Sequence, residues 1–234
     1  MPAPPHPPPP DLDLRIAAQR ARWADRIAAT PARADPRPLG DGPPNVHGMP
    51  REPPGQNLLE PAEWPVLDLG RTPAIDRARW RLAVDGAVEG PLSLGFEDLL
   101  ALPQVTERQD FHCVTGWSIL GLAFGGVRLE TVLALAGLAP EATHLLCHGA
   151  DDYTTNLPLE EALKPDVLLV HALDGRPLPV EHGGPVRVVV PELYAWKGAK
   201  WVTRLELLAH DRRGYWEIRG YSNGAHPWRD DRMW

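Results

Sequence analysis

Residues 181–208 read EHGGPVRVVVPELYAWKGAKWVTRLELL. Two runs rich in β-branched residues and leucine, 185–190 and 200–208, read as strands. What joins them is a loop punctuated by Pro191 and Gly198, not a helical pattern. Working outward, 167–173 is a third run of the same kind, and 144–147 is a short apolar strand. RWRLAVDGAV at 79–88 alternates and then meets the turn Glu89-Gly90-Pro91. QVTERQDFHC at 104–113 reads as a further strand. Helical signals are short: 96–102 before Pro103, LETVLALAGL at 129–138 with a stop at Gly137, and a turn at 159–163 closed by Lys164-Pro165. Strands joined by short helices and long Gly/Pro loops, with no regular βαβ alternation, indicate an α+β fold with mixed β-sheets. No GxGxxG follows a strand and no P-loop is present, so nucleotide cofactors held by those loops are unsupported.

The first quarter of the chain is different material. Of 28 prolines in 234 residues, 17 fall in the first 65. Residues 2–10, PAPPHPPPP, can form neither helix nor sheet and favour polyproline II. From 12 to 29 the composition turns to Ala, Arg and Leu. There Leu12, Ile16, Trp23 and Ile27 recur at helical spacing, which predicts a short amphipathic helix, either docked on the domain surface or binding a partner, with Asp11 as N-cap and Thr30-Pro31 as its stop. Residues 31–63 return to Pro/Gly-rich chain and read as an extended strap, lying over the domain or loose. The expected organisation is a Pro-rich N-terminal tail with its helix over 1–53, followed by one folded domain over 54–234. Two cysteines exclude a disulfide scaffold. A net charge of −7 argues against a general nucleic-acid binder, and no run approaches a membrane span. No secretory pattern or twin-arginine pair is seen, so the expected location is cytoplasmic.

Three constellations carry chemistry. In Asp110-Phe111-His112-Cys113-Val114-Thr115-Gly116-Trp117-Ser118, a cysteine ends a strand beside a histidine and runs into a Gly loop. Such a thiol serves as a nucleophile, as a soft-metal ligand, or simply as a small buried hydrophobe. In the 181–201 segment a glycine pair lets backbone approach a ligand. His182, Arg187, Lys197 and Lys200 add positive charge, although the whole chain has only three lysines. That pattern fits a grip on an anion, most naturally a phosphate, with two core strands and solvated charges as the bland alternative. Cys147-His148 with His112-Cys113 could offer zinc four ligands, but the 33 residues between the cysteines match no finger or ribbon spacing. Asp151 and Asp152 read as loop formers, and Tyr153 as a polar-tipped aromatic near the cleft. A thiol or soft-metal centre beside an anion-gripping loop is what a molybdenum centre on a phosphorylated pterin needs.

DFHCVTGWS, DYTTNLPLEEAL, EHGGPVRVVVPELYAWKGAKW and the tail GYWEIRGYSNGAHPW together resemble the sulfite oxidase-like molybdopterin-dependent oxidoreductases, closest to the small bacterial single-domain branch. The resemblance covers roughly 54–234. It implies a sulfite oxidase-type molybdopterin-binding domain, a molybdenum–molybdopterin cofactor, and two-electron oxygen-atom transfer on a small S- or N-oxide or sulfite-type substrate. It makes Cys113 the thiolate ligand of the metal and Tyr153 the tyrosine beside the reacting oxygen. His182 and Arg187 fall in the family's cofactor loop, Gly198, Ala199 and Lys200 in its later cofactor tripeptide, and Leu67 and Asp68 in its N-terminal pterin segment. Two departures stand out. The family's tryptophan before Gly-Val is missing from Leu122-Ala123-Phe124-Gly125-Gly126-Val127. The stretch 63–69 lacks the arginine that helps eukaryotic relatives bind sulfite. With no haem or dimerisation domain in this chain, the resemblance implies a separate electron-transfer partner: a cytochrome, a flavoprotein or a quinone-linked protein. The competing readings are a pterin-binding protein of the same fold that has lost turnover, and a metal-free thiol enzyme using Cys113 with His112.

Overall fold

The computed structural model describes residues 10–29 and 40–233, with the side chains of 20 and 23–29 excepted. The polyproline reading of the tail and the helix stop at Thr30-Pro31 fall outside the described residues. The amphipathic helix is present as α1 (Leu12–Ala29). Leu12 and Gln19, two turns apart, are buried, and Gln19 Nε2 donates to the Glu130 carbonyl at 3.3 Å. Trp23 and Ile27, the other half of the expected face, are among the side chains not described. Asp11 pairs with Arg15 one turn on, at 2.9 Å.

After α1 the chain forms a hairpin, β1 (Asp41–Pro44) with β2 (Pro50–Glu52), and then the two-residue β3 (Asn57–Leu58). The body follows as β4 (Arg81–Gly86), β5 (Leu92–Gly95), α2 (Phe96–Ala101), β6 (Gln104–Cys113), β7 (Trp117–Arg128) and α3 (Leu129–Ala136). It continues through β8 (His144–Gly149), β9 (Thr154–Pro158), α4 (Leu159–Ala162), β10 (Leu168–Leu173), β11 (Arg176–Pro177), β12 (Arg187–Val189) and β13 (Val202–Leu208). One five-stranded sheet runs β5-β4-β13-β8-β9. The other joins β11, β10, β7 and β3, with β12 also on β10 and β6 also on β7. Each sheet contains one parallel pair, β4 with β13 and β3 with β7, among antiparallel neighbours. This is the mixed α+β architecture that the sequence predicts.

The core follows from strand alternation. On β4, Leu82 and Val84 point inward and are fully buried between more exposed neighbours. They join Leu145, Leu157, Leu205 and Leu207 of the same sheet and Leu129, Val132 and Leu133 of α3 in one cluster. A second cluster covers the other face of the six-stranded sheet, built on Phe111, Ile119, Leu122, Phe124, Leu168 and Val170, with Trp64 of the strap closing it.

The structure adds what the sequence pattern concealed. β7 is 12 residues long and pairs with β6, β10 and β3. Its glycines mask it as a strand, and one of them is required: a Cβ at Gly126 would stand 2.2 Å from the Leu169 carbonyl oxygen. The segment 40–63 is a packed strap. Asn45 Oδ1 caps the hairpin turn by accepting from the backbone of His47 and Met49, at 2.9 and 3.0 Å. Arg51 then clamps Asp110 of β6 with two bonds, at 2.8 and 2.5 Å.

Candidate active site

Cys113 is the last residue of β6, directly opposite Trp117 in the β6–β7 ladder. The three-residue loop between them is tied by Gly116 N to the Cys113 carbonyl at 3.1 Å. The thiol is thus fixed at the rigid end of the longest hairpin, on the wall of a cavity of about 330 Å³. That volume is at the lower end of small-molecule sites. Around the same cavity stand Leu67 and Asp68 of the strap, Tyr153 before β9, His182, Arg187 of β12, Gly198 and Lys200. Ala199 is fully buried behind them, its carbonyl accepting from Val188 N at 2.9 Å.

The anion-gripping segment is built by a close turn. At Gly183 φ is +110°, and a Cβ there would press on Arg187 and Lys200 at 3.0 and 3.1 Å. Arg187 is 3% exposed, yet its guanidinium hydrogen-bonds only carbonyl oxygens among the described residues: His182 at 2.9 Å, with Val188 and Gly198 at 3.4 Å. Burial pulls its pKa down to about 10. Lys200 donates to the Glu181 carbonyl at 2.9 Å and lies over the Trp201 ring. Burial, and then the neighbouring Arg187, bring it down to about 8. Among the described residues neither cation has a carboxylate at ion-pair distance, and only Lys200 feels carboxylates further off, Asp68, Asp151 and Glu181; an anion in the cavity relieves the cost of their burial.

Lys197 is not part of this grip. Its side chain is fully buried and points away from the cavity, into an ion pair with Glu217 at 2.8 Å. Cys147 likewise sits in the core on β8. Among the described residues no three His, Cys, Asp or Glu side chains cluster as a metal cage. Asp151 does shape its loop, its Oδ1 facing Tyr153 N at 3.3 Å, but it also lines the cavity.

Burial raises the Cys113 thiol pKa, and the Thr115 hydroxyl, 3.1 Å from Sγ, works against that rise. Tyr153 is raised well above its ordinary value by burial, so it keeps its proton. Its hydroxyl donates to the Trp196 carbonyl at 2.5 Å. Residues the sequence reading did not single out complete the wall: Trp64, Phe111, Trp117, Trp196, Trp216 and Tyr221. Nine tryptophans in 234 residues were the available signal.

A family model described as an oxidoreductase molybdopterin binding domain matches residues 69–216. The chain belongs to the sulfite oxidase-like molybdopterin oxidoreductases. It is an enzyme of that type, and its cofactor is molybdenum–molybdopterin. The residues present fit that group: a thiol for a soft metal and two cations for a phosphate line the same cavity. An uncharacterised oxidoreductase of Bacillus subtilis, YuiH, is 41% identical over 184 residues, 78% of this chain and 92% of that one. The protein-methionine-sulfoxide reductase catalytic subunit MsrP of Gluconobacter oxydans is 32% identical over 178 residues. That match covers 66% of this chain but only 57% of the subunit. Among solved structures, the sulfane dehydrogenase SoxCD of Paracoccus pantotrophus matches with a TM-score of 0.56 at 31% identity. The match covers 59% of this chain and 40% of that one.

Proposed function

We propose that this oxidoreductase transfers an oxygen atom to or from a small, uncharged S- or N-oxide in preference to sulfite. The carrying observation is the charge of the cavity wall. Its two strong cations, Arg187 and Lys200, sit with Gly198 and His182 where the resemblance puts the pterin phosphate. The remaining wall is largely aromatic, and the carboxylates Asp68 and Asp151 stand near Lys200. Beyond Arg187, Lys200 and His182 the described lining offers a sulfite dianion no cation, whereas a neutral, polarisable S-oxide suits its aromatic rings.

When bound, the cofactor supplies the two-electron oxygen-atom chemistry. Cys113 would hold the metal through its thiolate. Arg187, Lys200 and His182 would hold the pterin, and Leu67, Asp68, Gly198 and Ala199 would complete its cradle. Tyr153, protonated throughout the working pH range, would orient the substrate oxygen as a hydrogen-bond donor by releasing the Trp196 carbonyl. The rings of Trp64, Trp117 and Trp216 would exclude water from the stretches of wall that they line. Electrons would pass to or from a separate partner protein: a cytochrome, a flavoprotein or a quinone-linked protein.

The family departure at 122–127 gives little support to a protein that has lost turnover. None of those residues lines the cavity; they lie in β7, and Gly125 packs against Ala172 of β10. The test is a substrate panel on protein whose molybdenum and pterin content have been measured. Methionine sulfoxide, dimethyl sulfoxide and trimethylamine N-oxide should include a reduced substrate, with sulfite oxidised far more slowly. Sulfite turnover at equal or greater kcat/KM would overturn the assignment. A fully loaded protein inert to the whole panel would establish the non-catalytic alternative.

A further inference from the structure

The tail after β13 returns to the body and plants one acidic residue behind the cavity wall. Tyr215 N bonds the Thr154 carbonyl at 2.7 Å, which lays the tail along β9. Two residues later Glu217 is fully buried. Its Oε1 accepts three donors from two different segments: Thr155 Oγ1 at 2.9 Å, Trp196 Nε1 at 3.1 Å and Lys197 Nζ at 2.8 Å. Lys197 is equally buried, and its remaining donors go to the Asn156 carbonyl and side chain, at 3.0 and 2.9 Å. Glu217 Oε2, by contrast, is buried without a partner among the described residues.

This arrangement is expensive. Taking two charges out of water is costly, and an apolar pair of similar size is often as stable. An unpaired carboxylate oxygen adds to the cost. Stability alone therefore does not account for the pair; what it supplies is direction. Trp196 is held at its ring nitrogen by Glu217, and its position in the chain is held again through Lys197. The same residue's carbonyl receives the Tyr153 hydroxyl, and its ring is a wall of the cavity.

We infer that Glu217 is a positioning residue for the reaction, fixing the Trp196 carbonyl that holds the Tyr153 hydroxyl in its resting place beside the cavity, from which it passes to the substrate oxygen. The inference rests on the proposed role of Tyr153. Thr155 ties β9 into the same carboxylate, so Tyr153 is set from both sides, through its own strand and through its hydrogen-bond acceptor. Glu217 touches neither cavity nor substrate and acts only through its neighbours.

The experiment compares Glu217→Gln, Tyr153→Phe and the double variant, each loaded with cofactor, on whichever oxide the wild type turns over. Glu217→Gln should keep its molybdenum and pterin and its KM, while kcat falls about 10–100-fold, the range for outer-shell partners. The double variant should be no slower than Tyr153→Phe, because both changes act on one hydroxyl. In cofactor-free protein, the Trp196 indole proton should exchange with solvent faster in Glu217→Gln than in wild type. If Glu217→Gln does not fold, the pair Lys197→Met with Glu217→Leu removes both charges, and the same loss of kcat is expected. Wild-type kcat in Glu217→Gln, or losses that add in the double variant, would overturn the inference while leaving Tyr153 in place. Wild-type kcat in Tyr153→Phe would instead remove the proposed role of Tyr153, and with it the inference.

Discussion

Trp64 lies flat on His182, ring centroids 4.1 Å apart and planes 14° from parallel. The Arg187 guanidinium stands 5.9 Å from the same indole and 5.0 Å from Phe111, whose ring meets Trp64 edge-on at 5.0 Å. One strap residue therefore braces two residues of the anion-gripping segment at once. Trp64→Ala should cost about 3–5 kcal/mol of stability, as large aromatic truncations do. It should also lower pterin retention, read as pterin per chain after purification. Trp64→Phe keeps a ring on His182 and should recover most of that retention. Equal pterin content in Trp64→Ala and wild type would show that the brace is structural only.

Cys113 separates the metal from the pterin. Serine at this position leaves the β6–β7 hairpin intact, since the loop is held by the Cys113 carbonyl and not by its sulfur. It also leaves Arg187 and Lys200 in place. Cys113→Ser should therefore melt close to wild type and retain pterin while losing turnover by more than about 100-fold, beyond the usual effect of outer-shell partners. Full turnover in the variant would show that the thiolate is not the ligand.

The grip on phosphate should weaken at alkaline pH. Lys200, lowered by burial and then by Arg187 to about 8, is charged below that pH in the empty protein and neutral above it. A simple phosphate monoester such as phenyl phosphate is already dianionic there, its second pKa being near ~6. Its affinity for cofactor-free protein should fall about 10-fold between pH ~7 and ~9 as the ammonium is lost. Calorimetric titration measures it. Lys200→Met should bind weakly and lose the pH dependence; a slope that persists in the variant would assign it to another group.

How legible the site was depends on where each residue's partners lie. β6 reads from the sequence end to end, and α3 stops at Gly137 as expected, because alternation and stop signals are local. β7 does not read, because glycines that admit close backbone contact also erase its alternation. Cys113, His182 and Arg187 stand out because a cysteine at a strand end and a glycine pair before an arginine are unusual side by side. Lys197 shares a segment with Lys200 and looks equivalent to it. Its direction is set by Glu217, twenty residues further on, whose place the sequence does not reveal. The aromatic wall was hidden for a related reason: Trp216 and Tyr221 come from the tail, and a tryptophan facing a cavity has the same local pattern as one in the core.

His47, at the tip of the β1–β2 hairpin, makes the strap pH-sensitive. Its Nε2 faces Asp166 at 2.6 Å and its Nδ1 faces Glu192 at 2.7 Å. Both ring nitrogens meet carboxylates, so the ring is an imidazolium. The hydrogen bond to Asp166, and then that to Glu192, raise its pKa to about 9. Burial alone would raise Glu192, but the His47 and Lys164 contacts outweigh it and hold that carboxyl near about 2. Because the folded His47 pKa lies above its unfolded value, the stabilisation is complete below pH ~6.5 and is lost as pH rises through about 9. The side chain is 23% exposed and shares Glu192 with Lys164, so about 1–3 kcal/mol is at stake. Opening should be local to 41–50, since Arg51 still holds Asp110 and carries no charge change in this range. Hydrogen exchange of the hairpin amides from pH 6 to 10, corrected for intrinsic rates, should show protection falling through that window. In His47→Gln the protection should be lower at pH 6 and flat with pH. If the variant keeps the wild-type slope, the clasp is not what holds the strap.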